Sequence, residues 1–245
     1  MTTGTTTANS ADWAAGTFTG AASSGGNDTL SSSVAFLVDS TIDGGAGVDT
    51  LNITTTTTVG FGSGGLSNVE VINFTSSDAG VVTFTSLDSY FGAATTITID
   101  GSGLTSASLV FSGAADTDSL FSITGSGQND ILTGGAGDDT IIGGGGGDIL
   151  TGGAGNDSMV GGGGDDVYVV DAAGDVVTEA AAAGVDEVQT TLATYTLAAN
   201  VEYLTGTVDT GQTLTGNALS NVITAGTGND TLSGGGGDDF LYGGD

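Results

Sequence analysis

The sequence contains no lysine, arginine, histidine, cysteine or proline among its 245 residues. Without basic side chains the chain has nothing to neutralise phosphate groups, which excludes nucleic-acid binding, and an anionic membrane surface would repel it. Without His, Cys, Lys or Arg the chain cannot form a Ser-His triad, a reactive thiolate, a Schiff base or a guanidinium clamp, and zinc would lack its nitrogen and sulfur ligands. A two-carboxylate glycosidase is the formal catalytic possibility that remains.

Long apolar runs are also missing. No stretch of about 18 apolar residues is present, so we expect no membrane-spanning helix. Residues 1–7 (MTTGTTT) have neither a basic region nor an apolar region, so we expect no cleavable signal peptide there.

The charge is of one sign. The 29 acidic residues give a formal net charge of −29, and self-repulsion at this charge opposes any compact state. The hydrophobic fraction of 38%, however, is typical of a folded chain rather than of a disordered one. We therefore expect a hard cation with oxygen ligands to neutralise clustered carboxylates when the chain folds.

The dominant pattern is a nine-residue period. Five units follow one another without a gap: GSGQNDILT (125–133), GGAGDDTII (134–142), GGGGGDILT (143–151), GGAGNDSMV (152–160) and GGGGDDVYV (161–169). Each has Asp at its sixth place and an apolar residue at its eighth, namely Leu132, Ile141, Leu150, Met159 and Tyr168. Glycines permit a tight six-residue turn, and the last three residues form a short strand whose eighth side chain points inward.

Further units occur elsewhere in the chain. A second array comprises GNALSNVIT (216–224), AGTGNDTLS (225–233) and GGGGDDFLY (234–242). Near the N-terminus, GGAGVDTLN (44–52) is a complete unit, and the partial unit GNDTL (26–30) precedes it by 21 residues.

Two units make one coil of 18 residues, so that units 18 residues apart stack on the same edge at roughly 4.8 Å. Asp130 then lies over Asp148, and Asp148 over Asp166. A divalent cation between turns would receive six to eight oxygens from carboxylates and turn carbonyls, which suits Ca²⁺ better than Mg²⁺. The candidate calcium ligands are Asp130, Asp139, Asp148, Asp157, Asp166, Asp230, Asp239, Asn221, Asp49 and Asp28, the last two sharing one ion if their coil has 21 residues.

The units GGAGDDTII, GGGGGDILT and GGAGNDSMV resemble the RTX (hemolysin-type) calcium-binding nonapeptide. The resemblance implies an all-β, right-handed parallel β-roll (β-solenoid) with several Ca²⁺ ions in its turns. It also implies type I secretion through an uncleaved C-terminal signal and folding in calcium-rich extracellular fluid. A secretion segment of that kind is not recognisable in this sequence.

The remaining segments predict less regular coils of the same solenoid. Strands are expected at residues 51–53, 69–74, 81–84, 96–99, 108–111 and 120–124. The phrases LSNVEVI (66–72) and LAANVEYL (197–204) are interpreted as turns that feed a strand. The chain is thus divided into an N-terminal flexible or intersubunit segment (1–25), irregular coils (26–124), a regular roll (125–170), further irregular coils (171–213) and a second array (214–245).

Since a solenoid fills the chain and its carboxylates repeat, we expect a structural protein and not an enzyme. The first hypothesis is a secreted subunit that forms a homopolymer, as a surface layer, filament or matrix fibre, because neither end of the sequence shows a capping helix for the open solenoid edges. The chain also resembles bacterial surface-layer and cell-surface RTX proteins. The alternatives are a monomeric adhesin or cell-surface polysaccharide-binding module, and a calcium-dependent folding module of a larger secreted protein.

Overall fold

The computed structural model describes residues 5–7, 18–19, 26–32, 42–55, 58–59, 66–87, 90–91 and 95–244. Throughout these ranges the regular structure is β-strand, joined by turns and bends. No helix in this part of the chain has the length and apolar character needed to cross a membrane. Most of the predicted N-terminal segment, residues 1–25, lies outside the described residues.

The strands are short and follow one another closely along the chain. Those in the first half are β1 (Thr5–Thr7), β2 (Phe18–Thr19), β3 (Thr29–Ser32), β4 (Ile42–Asp43), β5 (Thr50–Thr54), β6 (Leu66–Ser67), β7 (Val71–Ser76), β8 (Gly80–Thr85), β9 (Thr96–Leu104), β10 (Ala107–Ser112) and β11 (Leu120–Thr124). Those in the second half are β12 (Ile131–Thr133), β13 (Thr140–Gly145), β14 (Ile149–Thr151), β15 (Ser158–Gly163), β16 (Val167–Val170), β17 (Val176–Thr178), β18 (Glu187–Thr190), β19 (Thr194–Thr196), β20 (Tyr203–Gly206), β21 (Thr213–Thr215), β22 (Val222–Thr224), β23 (Thr231–Ser233) and β24 (Phe240–Tyr242).

Successive strands alternate between two faces of a solenoid. The first face consists of the odd-numbered strands, as a nine-stranded sheet from β1 to β17 and a three-stranded sheet of β19, β21 and β23. The second face consists of the even-numbered strands, as a three-stranded sheet from β2 to β6 and a nine-stranded sheet from β8 to β24. The strand pairings, such as β12 with β14, are parallel. The predicted all-β parallel solenoid is thereby confirmed.

The length of each coil follows the sequence pattern. In the regular array Ile131 pairs with Ile149 and Ile149 with Val167, so that equivalent residues are 18 apart as predicted. Near the N-terminus Leu30 pairs with Leu51, which confirms the 21-residue coil expected from the two units there. Coils between these regions are longer, and Gly80 pairs with Ala107 across 27 residues.

The core is a single file of apolar side chains between the two faces. The eighth-place residues of the regular array, Leu132, Ile141, Leu150, Met159 and Tyr168, have no measurable solvent exposure. Their seventh-place neighbours Ile131 and Ile149 point outward and are 45% and 40% exposed. Alternation of side chains along three-residue strands therefore gives the pattern that the sequence predicts.

Aromatic rings fill the wider coils of the first half. Phe111 lies between Phe84 and Phe121, with ring centroids 5.7 and 5.2 Å away, and Phe74 extends the row beyond Phe84 at 5.8 Å. All four rings are buried. The larger cross-section of these coils is therefore occupied by larger side chains, which keeps the interior close-packed.

We expect Phe111→Ala to lower the free energy of unfolding by about 3–5 kcal/mol, because it removes a buried ring and leaves a cavity between two others. Val110→Ala, at the outward-facing neighbour in the same strand, should cost much less. Urea unfolding of both variants in saturating calcium measures the difference. Equal losses would contradict the assignment of this ring row as the core.

Candidate metal centres on the coil edges

The tight turns of the array depend on glycine at particular places. Gly144, at the second place of its unit, has a φ of 115°, a backbone conformation that side-chain-bearing residues rarely adopt. Gly143, at the first place, has no room for a side chain. A Cβ atom there would lie 2.2 Å from Oδ2 of Asp148 and 2.6 Å from the carbonyl oxygen of Gly161. The glycine thus leaves a space toward which a carboxylate oxygen and a carbonyl oxygen converge.

The sixth-place aspartates form hydrogen-bonded ladders along both edges of the solenoid. On one edge the backbone N–H of Asp130 donates to Oδ1 of Asp148 (2.8 Å), and that of Asp148 donates to Oδ1 of Asp166 (2.7 Å). On the other edge the N–H of Asp139 donates to Oδ1 of Asp157 (2.8 Å). The stacking predicted from the 18-residue coil is therefore present, with one oxygen of each carboxylate fixed by the preceding coil.

The ladders continue beyond the nonapeptide units through acids that the sequence analysis did not select. The N–H of Asp166 donates to Oδ1 of Asp186 (2.9 Å), and that of Asp186 to Oε2 of Glu202 (2.9 Å). On the opposite edge the N–H of Asp157 donates to Oδ1 of Asp175 (3.1 Å). The signal available in the sequence was an acidic residue in the turn just before a strand.

The N-terminal coils have the same arrangement. The N–H of Asp28 donates to Oδ1 of Asp49 (2.7 Å), and the N–H of Asp49 donates to Oε2 of Glu70 (2.8 Å). Glu70 lies in the phrase LSNVEVI, and Glu202 lies in the similar phrase LAANVEYL. Both phrases contain an asparagine with positive φ two residues before the acid, Asn68 at 52° and Asn200 at 66°, and each is a turn that leads into a strand as predicted. That Asp28 and Asp49 share one ion stays a prediction.

Several of these carboxylates have a second oxygen that is buried without any hydrogen-bond partner. In the described chain these are the Oδ2 atoms of Asp49, Asp148, Asp157, Asp166, Asp186 and Asp230. A buried, unpartnered charged oxygen is costly unless a cation compensates it. Carboxylate oxygens beside converging turn carbonyls are the donor set that Ca²⁺ prefers, so the residues present fit this ion.

The pKa values of these carboxyl groups reflect the same absence of a neutralising positive charge. Burial, together with the neighbouring carboxylates of Asp130 and Asp166, raises the pKa of Asp148 to about 7. Burial likewise raises the pKa of Asp157 and of Asp166 to about 6. The sequence contains no basic side chain to oppose these shifts. We therefore expect a cation from solution to stabilise the ladders at neutral pH.

Most of the other predicted ligands already have hydrogen-bond partners or are partly exposed to solvent. Both oxygens of Asp130 and of Asp139 accept backbone N–H groups, from Ser126 and Leu109 in the first case. Asn221 is fully buried, and its amide accepts from the N–H of Asn217 and donates to the carbonyl of Val201. Asp28 and Asp239 are half-buried, and Asp230 is half-buried with its Oδ2 atom buried and unpartnered. The calcium roles of all ten residues stay predictions.

Comparison with known families identifies the repeats that contain most of the predicted ligands. A family model for the RTX calcium-binding nonapeptide repeat matches in four copies, at residues 39–52, 122–150, 142–177 and 215–245. The chain carries RTX calcium-binding nonapeptide repeats. RTX repeats bind Ca²⁺, and four matched copies imply several ions. They are typical of secreted, extracellular proteins and form structural calcium-binding rolls. Searches of the curated proteins and of the solved structures found no match.

The first-place glycine of an RTX unit gives a direct test of the site. Gly143→Ala should weaken calcium binding and calcium-dependent folding severely, because its Cβ would occupy the space between Asp148 and the Gly161 carbonyl. Gly163→Ala is the matched control, since a Cβ there meets nothing within 4 Å. Calcium titration followed by circular dichroism compares the two. The site geometry is wrong if both variants fold at the calcium concentration that the unchanged protein needs.

Proposed function

We propose that this chain is a secreted, non-enzymatic, calcium-binding structural protein that self-assembles into an extracellular filament, surface layer or matrix fibre. Calcium would hold the carboxylate ladders together and give a rigid rod. The observation that carries the self-assembly is an apolar stripe on the outside of the second face.

The stripe follows the seventh-place residues of the second face from strand to strand. Its members are Ile131, Ile149, Val167, Tyr203, Val222 and Phe240, with Glu187 interrupting the row. Ile131, Ile149 and Tyr203 are 40–45% exposed, and Phe240 is 63% exposed. At roughly 4.8 Å per strand the stripe is about 29 Å long. The aligned row on the first face runs through Thr98, Ser122, Thr140, Ser158 and Val176 and is polar at four of these five positions, so the two faces differ in polarity.

A second copy of this chain is the partner that fits the stripe best. The chain has no basic residue with which to form ion pairs, and its acidic edges repel one another. A contact between copies must therefore use apolar surface, with calcium reducing the repulsion of the edges. Rows of exposed apolar residues of this kind mark interaction surfaces in soluble proteins.

The experiment compares two double variants by electron microscopy and sedimentation in a few millimolar CaCl₂, with a chelator-treated sample alongside. Ile131→Thr with Ile149→Thr removes the two isoleucines at one end of the stripe and should abolish ordered assemblies. Ile142→Thr with Val176→Thr removes two exposed apolar residues from the first face and should leave assembly intact. The proposal is wrong if the unchanged protein stays monomeric in calcium, or if both variants assemble alike.

The alternative is a monomeric calcium-dependent adhesin or polysaccharide-binding module. Exposed aromatic rings on the second face favour it, since Tyr203, Phe240 and Tyr242 are 41%, 63% and 56% exposed. Flat rings of this kind can stack on the apolar faces of sugars. Calcium-loaded monomers that bind cell-surface polysaccharide, and lose binding in Tyr203→Ala, would support this function. Monomers without such binding would favour a folding module of a larger secreted protein.

A further inference from the structure

The turn between β17 and β18 departs from the RTX unit in a specific way. Thr178 pairs with Val160, so that Glu179 occupies the place of Gly161, the first-place glycine of the preceding coil. Five residues (161–165) separate Val160 from Asp166, whereas seven (179–185) separate Thr178 from Asp186. The coil is nevertheless in register, because the N–H of Asp166 donates to Oδ1 of Asp186 across 20 residues. The wider turn admits a side chain where the other units require glycine.

Glu179 brings a third carboxylate to this edge. One carboxylate oxygen from each of Asp166, Glu179 and Asp186 lies within 4.8 Å of the others. The three side chains are 1%, 7% and 0% exposed, respectively. The Oδ2 atoms of Asp166 and Asp186 are buried and have no hydrogen-bond partner. Two unpartnered oxygens and a third carboxylate thus face one another away from solvent.

The glutamate is held in this position by its own contacts. The hydroxyl of Tyr168 donates to Oε2 of Glu179 and accepts the backbone N–H of Gly161 (2.7 Å). Oε1 of Glu179 accepts the N–H of Ala180 (2.7 Å). Tyr168 is itself fully buried in the core file. The side chain therefore cannot swing to solvent without breaking a buried hydrogen bond, and its charge stays beside the two aspartates.

We infer that Asp166, Glu179 and Asp186 form a divalent-cation site of the Ca²⁺ class in the widened turn, with Glu179 as a ligand outside the nonapeptide unit. Three close carboxylates repel one another strongly where water is excluded, and the chain has no cationic side chain to separate them. An oxygen-only donor set suits calcium, or a trivalent lanthanide in its place, rather than zinc or copper. The bound ion would lie at the end of the regular array and would be covered by Glu179.

The first measurement counts ions. Glu179→Gln keeps the size of the side chain and its acceptor oxygen but removes the charge, and it should bind one calcium ion fewer per chain at saturation. Glu187→Gln is the matched control, because Glu187 lies in β18 on the outer row of the second face. Direct metal analysis after equilibrium dialysis gives the count. An unchanged count in Glu179→Gln overturns the inference and indicates a proton shared among the carboxylates instead.

Tyr168 provides an independent readout, because an excited tyrosine transfers energy to a nearby terbium ion. In terbium-loaded protein, Glu179→Gln should lose part of the tyrosine-sensitised emission, and Glu187→Gln should keep it. If Glu179→Gln does not fold in saturating calcium, Glu179→Asp replaces it and should retain the ion with at least tenfold weaker affinity. Unchanged emission or unchanged affinity would overturn the inference. Because ions are counted and not assemblies, the result is independent of self-assembly.

Discussion

Removing calcium is expected to unfold the chain. Nine acidic side chains are buried in the described part of the molecule, and none has a basic partner. A buried charge that loses its counter-ion costs about 3–5 kcal/mol, whereas a whole domain is stable by only about 5–15 kcal/mol. A few vacated sites would therefore exceed the net stability. The far-UV circular dichroism signal of β-structure should disappear on chelation and return when calcium is restored.

Magnesium distinguishes specific coordination from general screening of charge. Mg²⁺ requires a small octahedral shell and keeps its waters, so it should restore much less structure than Ca²⁺ at the same concentration. Sodium at equal ionic strength should restore little, because buried pairs are screened weakly by salt. A protein that keeps its full β-signal in a chelator would show that the ladders are stable without ions.

In calcium-free solution the pH dependence should be opposite to that of most proteins. Burial raises the pKa of Asp148 to about 7, and those of Asp157 and Asp186 to about 6, from an ordinary value of 3.8. The folded chain therefore holds more protons than the unfolded chain between about pH 4 and pH 7. The free energy of unfolding then falls as the pH rises through this range. The stabilisation is complete below about pH 4 and lost above about pH 7.

Thermal unfolding of resin-stripped protein at pH 5 and pH 7.5, with and without added calcium, tests this sign. Without calcium the protein should show a melting transition at pH 5, where protons replace the ions, and little folded structure to melt at pH 7.5. With calcium the difference should shrink or reverse, because protons and Ca²⁺ compete for the same oxygens. Greater calcium-free stability at pH 7.5 would mean that the buried carboxylates are compensated in another way.

The repeated part of the structure could be predicted from the sequence because a nine-residue period fixes both where each strand lies and to which side its side chains point. Once Asp148 is at the sixth place and Leu150 at the eighth, alternation along the strand determines which is at the edge and which is in the core. The same reasoning placed the 21-residue coil between Asp28 and Asp49. Strands such as β7 and β10 followed from their β-branched and aromatic residues.

The remaining ladder acids could not be predicted in this way because each occurs once. Asp186 and Glu202 belong to coils of 20 and 16 residues, so no fixed period connects them with Asp166. Only the strand pairing shows that they continue the same edge. Glu179 was missed for a related reason. It stands where the unit requires glycine, and the two extra residues that make room for it are visible only after the coils are aligned.

The 18-residue coil also affects the order in which parts of the molecule fold. Strand pairing in the regular array joins each coil to the coils before and after it, so these pairings require no closure of a long loop. Loop closure costs little entropy at these lengths, and repeat proteins fold by nucleation and propagation along the stack. Residues 125–170, with the most uniform coils, are the natural nucleus. The irregular coils on either side would then be added one at a time, each templated by a strand edge that has already formed.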